Sequence, residues 1–307
     1  MLEIFLKTLP FFGVIATGWL AARLRLFPAE GAVWLTKFVF YFALSAMLFR
    51  FAAGVDIGAL FDARFVAAYV IGTMLVWAVV IGAARARGAD MRDAAMTAHA
   101  AMSGNTGFLG VPMLVALLGP AAAGPVLLVL TIDMVVFATF FTLIINALRH
   151  GGLRLSAMGP VLRGVASNPM VLSMGAGLIW GAADVPMPAP AAEFLALLGA
   201  AATPGALFAI GAGLAGRRIE NLPSAAAISG AKLALHPLAV GGLALAFGVE
   251  PFAAGVMIVA AALPVAGNVY MLAQFFGIGQ QRVSAAILIS TALSILTIPL
   301  VMVLIGI

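Results

Sequence analysis

Ser103-Gly104-Asn105-Thr106-Gly107-Phe108-Leu109-Gly110-Val111-Pro112 decides how this chain folds. Three glycines, an asparagine and a proline within ten residues make a poor continuous helix. Yet the stretch sits inside a run of 39 residues without Asp, Glu, Lys or Arg, between Asp93 and Asp133. At 1.5 Å per residue that run would be about 58 Å long as one helix, too long for one membrane crossing. The spacing therefore predicts a turn from Gly119-Pro120 through Gly124-Pro125 and an interrupted span over 94–118. Pro112 fits the first turn of a second half-helix, where its missing N–H costs nothing. Leu263-Pro264-Val265-Ala266-Gly267-Asn268-Val269-Tyr270 repeats the same ingredients.

The rest of the chain has the composition of a bilayer protein. Of 307 residues, 9% are charged and 64% hydrophobic, none is cysteine, and the mean hydropathy is +1.18. Soluble domains carry about 25% charged residues. A cytosolic enzyme, a disordered chain and a disulfide scaffold are excluded on that basis, and so are thiol catalysis and thiolate metal sites. The net charge of +5 comes from scattered basic residues rather than a patch, so nucleic acid is not an expected partner. Charges divide the chain into ten predicted spans, near 3–23, 32–52, 63–84, 94–118, 124–148, 159–182, 192–215, 223–247, 251–276 and 283–306. The first reads as a span rather than a cleaved signal peptide. Odd-numbered loops hold Arg23, Arg25, Arg85, Arg87, Arg92, Arg149, Arg154, Arg163, Arg217, Arg218 and Arg282; even loops hold only Arg50 and Arg64. Basic loops stay cytoplasmic, which places both termini outside. The loop at Arg149-His150-Gly151-Gly152 divides the spans five and five.

Two echoes suggest an inverted repeat of residues 1–150 and 151–307. Ser45-Ala46-Met47-Leu48-Phe49 is echoed by Pro204-Gly205-Ala206-Leu207-Phe208, and Gly104-Asn105 by Gly267-Asn268, at similar offsets. One glycine-rich break alone would read as a kink or a close packing contact. Two at matching positions, each with an asparagine, read as a transport site, because unwound backbone survives in lipid only where protein or a water-filled cavity satisfies it.

These residues resemble the auxin efflux carrier family, which contains plant auxin exporters and bacterial carriers named as malonate transporters. The span-4 string Gly104 to Pro112 resembles that family's signature. So do Ala262-Leu263-Pro264 with Gly267-Asn268, Leu272-Ala273-Gln274, the tail from Ser290 to Pro299, and Leu207-Phe208-Ala209-Ile210-Gly211. The resemblance implies an all-α membrane protein of ten helices in two inverted five-helix repeats, like sodium/proton antiporters and bile-acid symporters. Helices 4 and 9 would cross at their breaks. Spans 1, 2, 6 and 7 would form a support domain, spans 3–5 and 8–10 a transport domain, and the two would move for alternating access. The long central hydrophilic loop of plant members is missing, and Ser45 stands where many members have proline, which puts a kink in helix 2 in doubt.

The implied activity is secondary transport of a small organic anion, a carboxylate such as malonate or an auxin-like acid, across a bacterial inner membrane. It would run with protons or sodium or as uniport, without a cofactor or metal, in an architecture compatible with a homodimer. Broken helices present free N–H groups and positive dipole ends, which favour an anion. Candidate substrate-binding residues are Ser103, Gly104, Asn105, Thr106, Gly267, Asn268 and Tyr270, with Pro112 and Pro264 shaping the crossover. Each asparagine has a second reading, as a cap for its own broken backbone. Asp133 and Lys232 lie deep in spans 5 and 8, where a charge costs about 2.5–3.5 kcal/mol on insertion scales and usually has a task or a partner. Asp133 is the candidate proton or cation carrier. Lys232 would attract an anion or pair with Asp133. His99 and His236 read as packing or interfacial residues. Gly211-Ala212-Gly213-Leu214-Ala215-Gly216 matches a nucleotide-loop spacing but ends a span, so it reads as helix packing. Gly177 and Gly181 have the spacing of a packing motif for helices or subunits. An anion channel and a non-transporting receptor are the alternatives. The first would want polar stripes along several spans, the second an output domain.

Overall fold

The computed structural model describes residues 2–55, 62–150, 152, 158–217 and 221–307. Gly151, Arg154 and Arg218, used above for the midpoint and the orientation, lie outside the described residues. The described chain is helical, and its only β pairing is one isolated bridge. Seven helices are long and apolar enough to cross a membrane. They are α1 (Leu2–Arg23), α2 (Ala29–Ala53), α3 (Ala63–Ala86), α6 (Pro120–Arg149), α9 (Ala189–Leu214), α10 (Leu222–Ala246) and α13 (Gln280–Ile305). Between them lie α4 (Met91–Met102), α5 (Thr106–Leu118), α7 (Met158–Ala166), α8 (Pro169–Ala182), α11 (Pro251–Ala261) and α12 (Gly267–Phe276). Large apolar side chains such as Trp34, Phe194, Leu197 and Leu245 point outward, as lipid contact requires.

Local chemistry explains the boundaries. Gly119 turns the chain with φ +84°, and a short 3₁₀ turn, Pro120–Ala122, follows. Gly124-Pro125 therefore belongs to the first helical turn rather than to the loop, where proline loses no hydrogen bond. The predicted span 159–182 is two helices, because the Asn168 side chain accepts from the Met170 N–H and restarts the chain at Pro169. Helix α2 contains a wide π turn, Val39–Ala43, and the Ser45 hydroxyl donates to the Phe40 carbonyl at 3.0 Å. The irregularity expected of proline is thus present without one.

Two compact units emerge. One comprises Met1–Asp62, Gly107–Leu128 and Ala166–Arg217. Its helices touch through glycines. A Cβ at Gly18 would strike the Phe208 carbonyl, and one at Gly211 the Ile15 carbonyl. Gly177 lies against Phe49 and Ala52, and Gly181 against Ala53, so this pair packs α8 on α2. The other unit comprises Ala63–Thr106, Val129–Val165 and Arg218–Ile307. In it, α3 packs on α4 and α10, and α10 on α11 and α13. Arg282 pairs with Asp93 at 2.6 Å, tying α13 to the start of α4.

Gly211→Val should destabilise the first unit by about 1–3 kcal/mol through overpacking. Gly213→Ala, where an added Cβ meets nothing within 4 Å, should leave the melting temperature unchanged or raise it slightly. Thermal unfolding in detergent compares the two.

Candidate functional site

The site lies in the second unit, where two interruptions meet. Helix α4 stops as Ser103 turns extended (φ −88°, ψ 110°) with its N–H on the His99 carbonyl at 3.0 Å. Helix α11 stops at Ala261, and Ala266 is extended again (φ −71°, ψ 141°) before α12. Between these ends the strips run antiparallel, with Gly104 opposite Val265. The Asn105 N–H donates to the Pro264 carbonyl at 2.9 Å, and the Ala266 N–H to the Ser103 carbonyl at 3.1 Å. The Val265 N–H finds the Ser290 hydroxyl of α13 at 3.0 Å, and that hydroxyl donates to the Ile287 carbonyl. A Cβ at Gly104 would lie 3.2 Å from the Ala260 carbonyl oxygen and 3.3 Å from Lys232 Nζ, so glycine permits the approach.

Each charged candidate sits at a helix end. Lys232, fully buried, donates to the carbonyl of Ala261 at the C-terminus of α11, where a cation is favoured. Its Nζ is also 3.0 Å from His236 Nδ1, and His236 Nε2 is 3.0 Å from the Thr73 hydroxyl. Asp133 is half-buried. Its carboxylate accepts from the Thr106 hydroxyl, at the start of α5, at 2.7 Å and from the Tyr69 phenol at 2.7 Å. Both charges project from π turns, Ile132–Phe137 and Ala231–Leu235. Such turns insert an extra residue and recur at functional positions. Asp133 and Lys232 attract each other but form no ion pair within 4.0 Å. Lys232 instead donates to the carbonyl end of α11 and lies beside His236.

The remaining predicted residues are placed as follows. Asn105 is 9% exposed, and its amide has no hydrogen-bond partner among the described residues. Gly267 and Asn268 are exposed at the N-terminus of α12, which no side chain caps. The asparagines therefore do not cap their own breaks. Tyr270 is half-buried one turn into α12. Pro264 contributes its carbonyl to the crossing. Pro112 stands in the first turn of the α-helical stretch Val111–Leu118, as expected, although a π turn, Thr106–Gly110, already begins the helical structure before it. His99 packs, with its ring stacked 4.1 Å from Phe141. His236, read as packing, is instead a polar partner of Lys232. Tyr69, Thr73 and Ser290 carried no expectation. Tyr69–Thr73 and Lys232–His236 are each four apart, the helical spacing that puts polar groups on one face, and that was the available signal. Ser290 stood only in the family-like tail, and nothing there showed its partner, a backbone N–H distant in sequence.

Ser290→Ala should leave the buried Val265 N–H without an acceptor and cost about 1–3 kcal/mol. Ser290→Thr, which keeps the hydroxyl, should lose less, and thermal unfolding in detergent distinguishes them.

Residues 3–302 match the profile of the family described as "Membrane transport protein". A Rhizobium meliloti (strain 1021) protein named "Putative malonate transporter" is 35% identical over 307 residues, covering 97% of this chain and 94% of the relative. The apolar helices and the family together make this a multi-pass membrane protein. The chain belongs to the membrane transport protein family, the auxin efflux carrier family that its span-4 and span-9 strings resemble.

Proposed function

We propose that this protein is a secondary-active carrier of a small dicarboxylate, malonate being the first candidate, across a bacterial inner membrane. The observation that carries the proposal is the paired interruption. Two backbones unwind side by side, and beside them stand an Asn105 amide without a hydrogen-bond partner among the described residues and the exposed, uncapped start of α12. Helix N-termini attract anions, and asparagine amides bind them without burying a further charge. Malonate is favoured by the name of the Rhizobium meliloti relative.

The spans are read as ten, in two inverted repeats, 1–150 and 151–307. What supports this is that α4 with α5 and α11 with α12 are interrupted at corresponding places. Spans 1, 2, 6 and 7 act as the support and spans 3–5 and 8–10 as the transport domain, a division that the two groups of contacts follow except for Gly107–Leu128, which groups with spans 1, 2, 6 and 7. Substrate binds at Ser103, Gly104, Asn105, Thr106, Gly267, Asn268 and Tyr270. Asp133, held by Thr106 and Tyr69 at the start of α5, carries the coupling proton, or a sodium ion in its place. Alternating access moves the transport domain, with both termini on the periplasmic side.

Proteoliposomes should take up radiolabelled malonate saturably, and the purified protein should melt at higher temperature as malonate is raised. A conductance without saturation would mean a channel, and binding without flux a receptor. Asn105→Ala should lower uptake at least tenfold at unchanged expression; unaltered kinetics would remove the crossover from the site. Asp133→Asn should fold yet lose proton-driven uptake, and normal pH-dependent transport by that variant would exclude Asp133 from coupling.

A further inference from the structure

Helix α11 ends on a carbonyl that its own backbone does not cap. In a regular helix the Ala261 oxygen would accept from the N–H three or four residues on. Residue 264 is proline and has no N–H, and the Val265 N–H is turned to the Ser290 hydroxyl at 3.0 Å. The donor that reaches the Ala261 oxygen comes from another helix, as Lys232 Nζ. Neighbouring carbonyls are served locally. Those of Ile258 and Val259 accept from the Ala262 N–H at 3.0 Å, and that of Ala260 from the Leu263 N–H at 3.3 Å.

The other groups against the ammonium are neutral. His236 Nδ1 lies 3.0 Å from Nζ. An ammonium only donates, so Nδ1 accepts and Nε2 carries the imidazole hydrogen, 3.0 Å from the Thr73 hydroxyl. Across the crossing is Gly104, where a Cβ would lie 3.3 Å from Nζ. Among the described residues the ion pairs join Lys7 to Glu3 and Arg282 to Asp93, and Asp133 stays beyond ion-pair distance of Lys232. A fully buried cation is therefore set against a helix C-terminus, the equivalent of about half a negative charge. In carriers with broken helices, such carbonyl ends hold mobile sodium ions or protons.

We propose that Lys232 is the tethered occupant of a monovalent-cation site at the end of α11. Its ammonium stands where a free cation would otherwise bind, on the Ala261 oxygen and beside His236 Nδ1. The crossing is thereby supplied with a positive charge that does not leave. The transport consequence rests on the carrier reading above: the anion's seat keeps this charge through the cycle and needs no free cation at α11, whatever ion couples at Asp133. The site itself does not depend on that reading.

Lys232→Ala removes three methylenes and the ammonium, which together make an n-propylammonium ion. Sealed cavities still admit small ligands, as an engineered apolar cavity admits benzene. In detergent at neutral pH and constant ionic strength, purified Lys232→Ala should melt below the natural protein. Added n-propylammonium chloride should raise its melting temperature saturably, by about 3 °C or more. n-Propanol, of the same shape without the charge, should not. The natural protein and Lys232→Met, whose side chains fill the site, should not respond to n-propylammonium. No rise in Lys232→Ala, an equal rise with n-propanol, or an equal rise in the natural protein overturns the proposal. Should Lys232→Ala not fold alone, it is expressed and extracted with either additive present. Recovery of monodisperse protein with n-propylammonium and not with n-propanol supports the site, and recovery with neither overturns it. If the melting results hold but the natural protein moves no malonate, the carrier reading falls and the cation site stands.

Discussion

Two peptide hydrogen bonds, Asn105 to Pro264 and Ala266 to Ser103, are the constraint on which the rest depends. Unwound backbone inside a bilayer costs several kcal/mol for each group left unpaired. Neither interruption satisfies itself, and each supplies the acceptor that the other's donor lacks. Ser290 completes the arrangement by accepting from Val265. Gly104 suits the same crossing, since a Cβ there would crowd the Ala260 carbonyl at 3.2 Å and Lys232 Nζ at 3.3 Å. Once the strips are paired, the positions of four helix ends are fixed in one small volume.

Those ends carry partial charges, and the buried ionisable residues sit accordingly. Lys232 lies on carbonyl oxygen at the end of α11, and Asp133 receives the hydroxyl at the start of α5. A charge in the membrane interior is expensive alone and tolerable against a helix terminus with hydrogen bonds. The π turns that present both residues rotate them away from the register a regular helix would impose. This accounts for two opposite charges near one another without a salt bridge. Each is held by its own helix end and its own polar neighbours.

Much of this was legible in the sequence, for reasons particular to membranes. Lipid forbids irregular backbone unless it is satisfied, so Gly104-Asn105 and Gly267-Asn268 in apolar runs announced the breaks. The sparse charges marked the helix ends to within a few residues. Other features were hidden. Asn168-Pro169 restarts a helix without a charge to betray it. The π turn at Thr106–Gly110 ahead of Pro112 was not legible, because wide turns have no composition of their own. Ser290 and Thr73 act through partners far away in sequence, which periodicity cannot reveal. His236 looked like packing because a lone histidine on an apolar helix usually is; only its place beside Lys232 and Thr73 shows otherwise.

The central claim is that the start of α12, beside the crossing, faces water and seats an anion. The natural chain has no cysteine, so Asn268→Cys would carry the only thiol. Its rate of reaction with a water-soluble maleimide, measured in proteoliposomes with and without dicarboxylate, tests the claim most directly. The account predicts a thiol that reacts readily and is slowed in a saturable way by dicarboxylate. A thiol that never reacts, or one whose rate no dicarboxylate alters while the same preparation transports that compound, would contradict it.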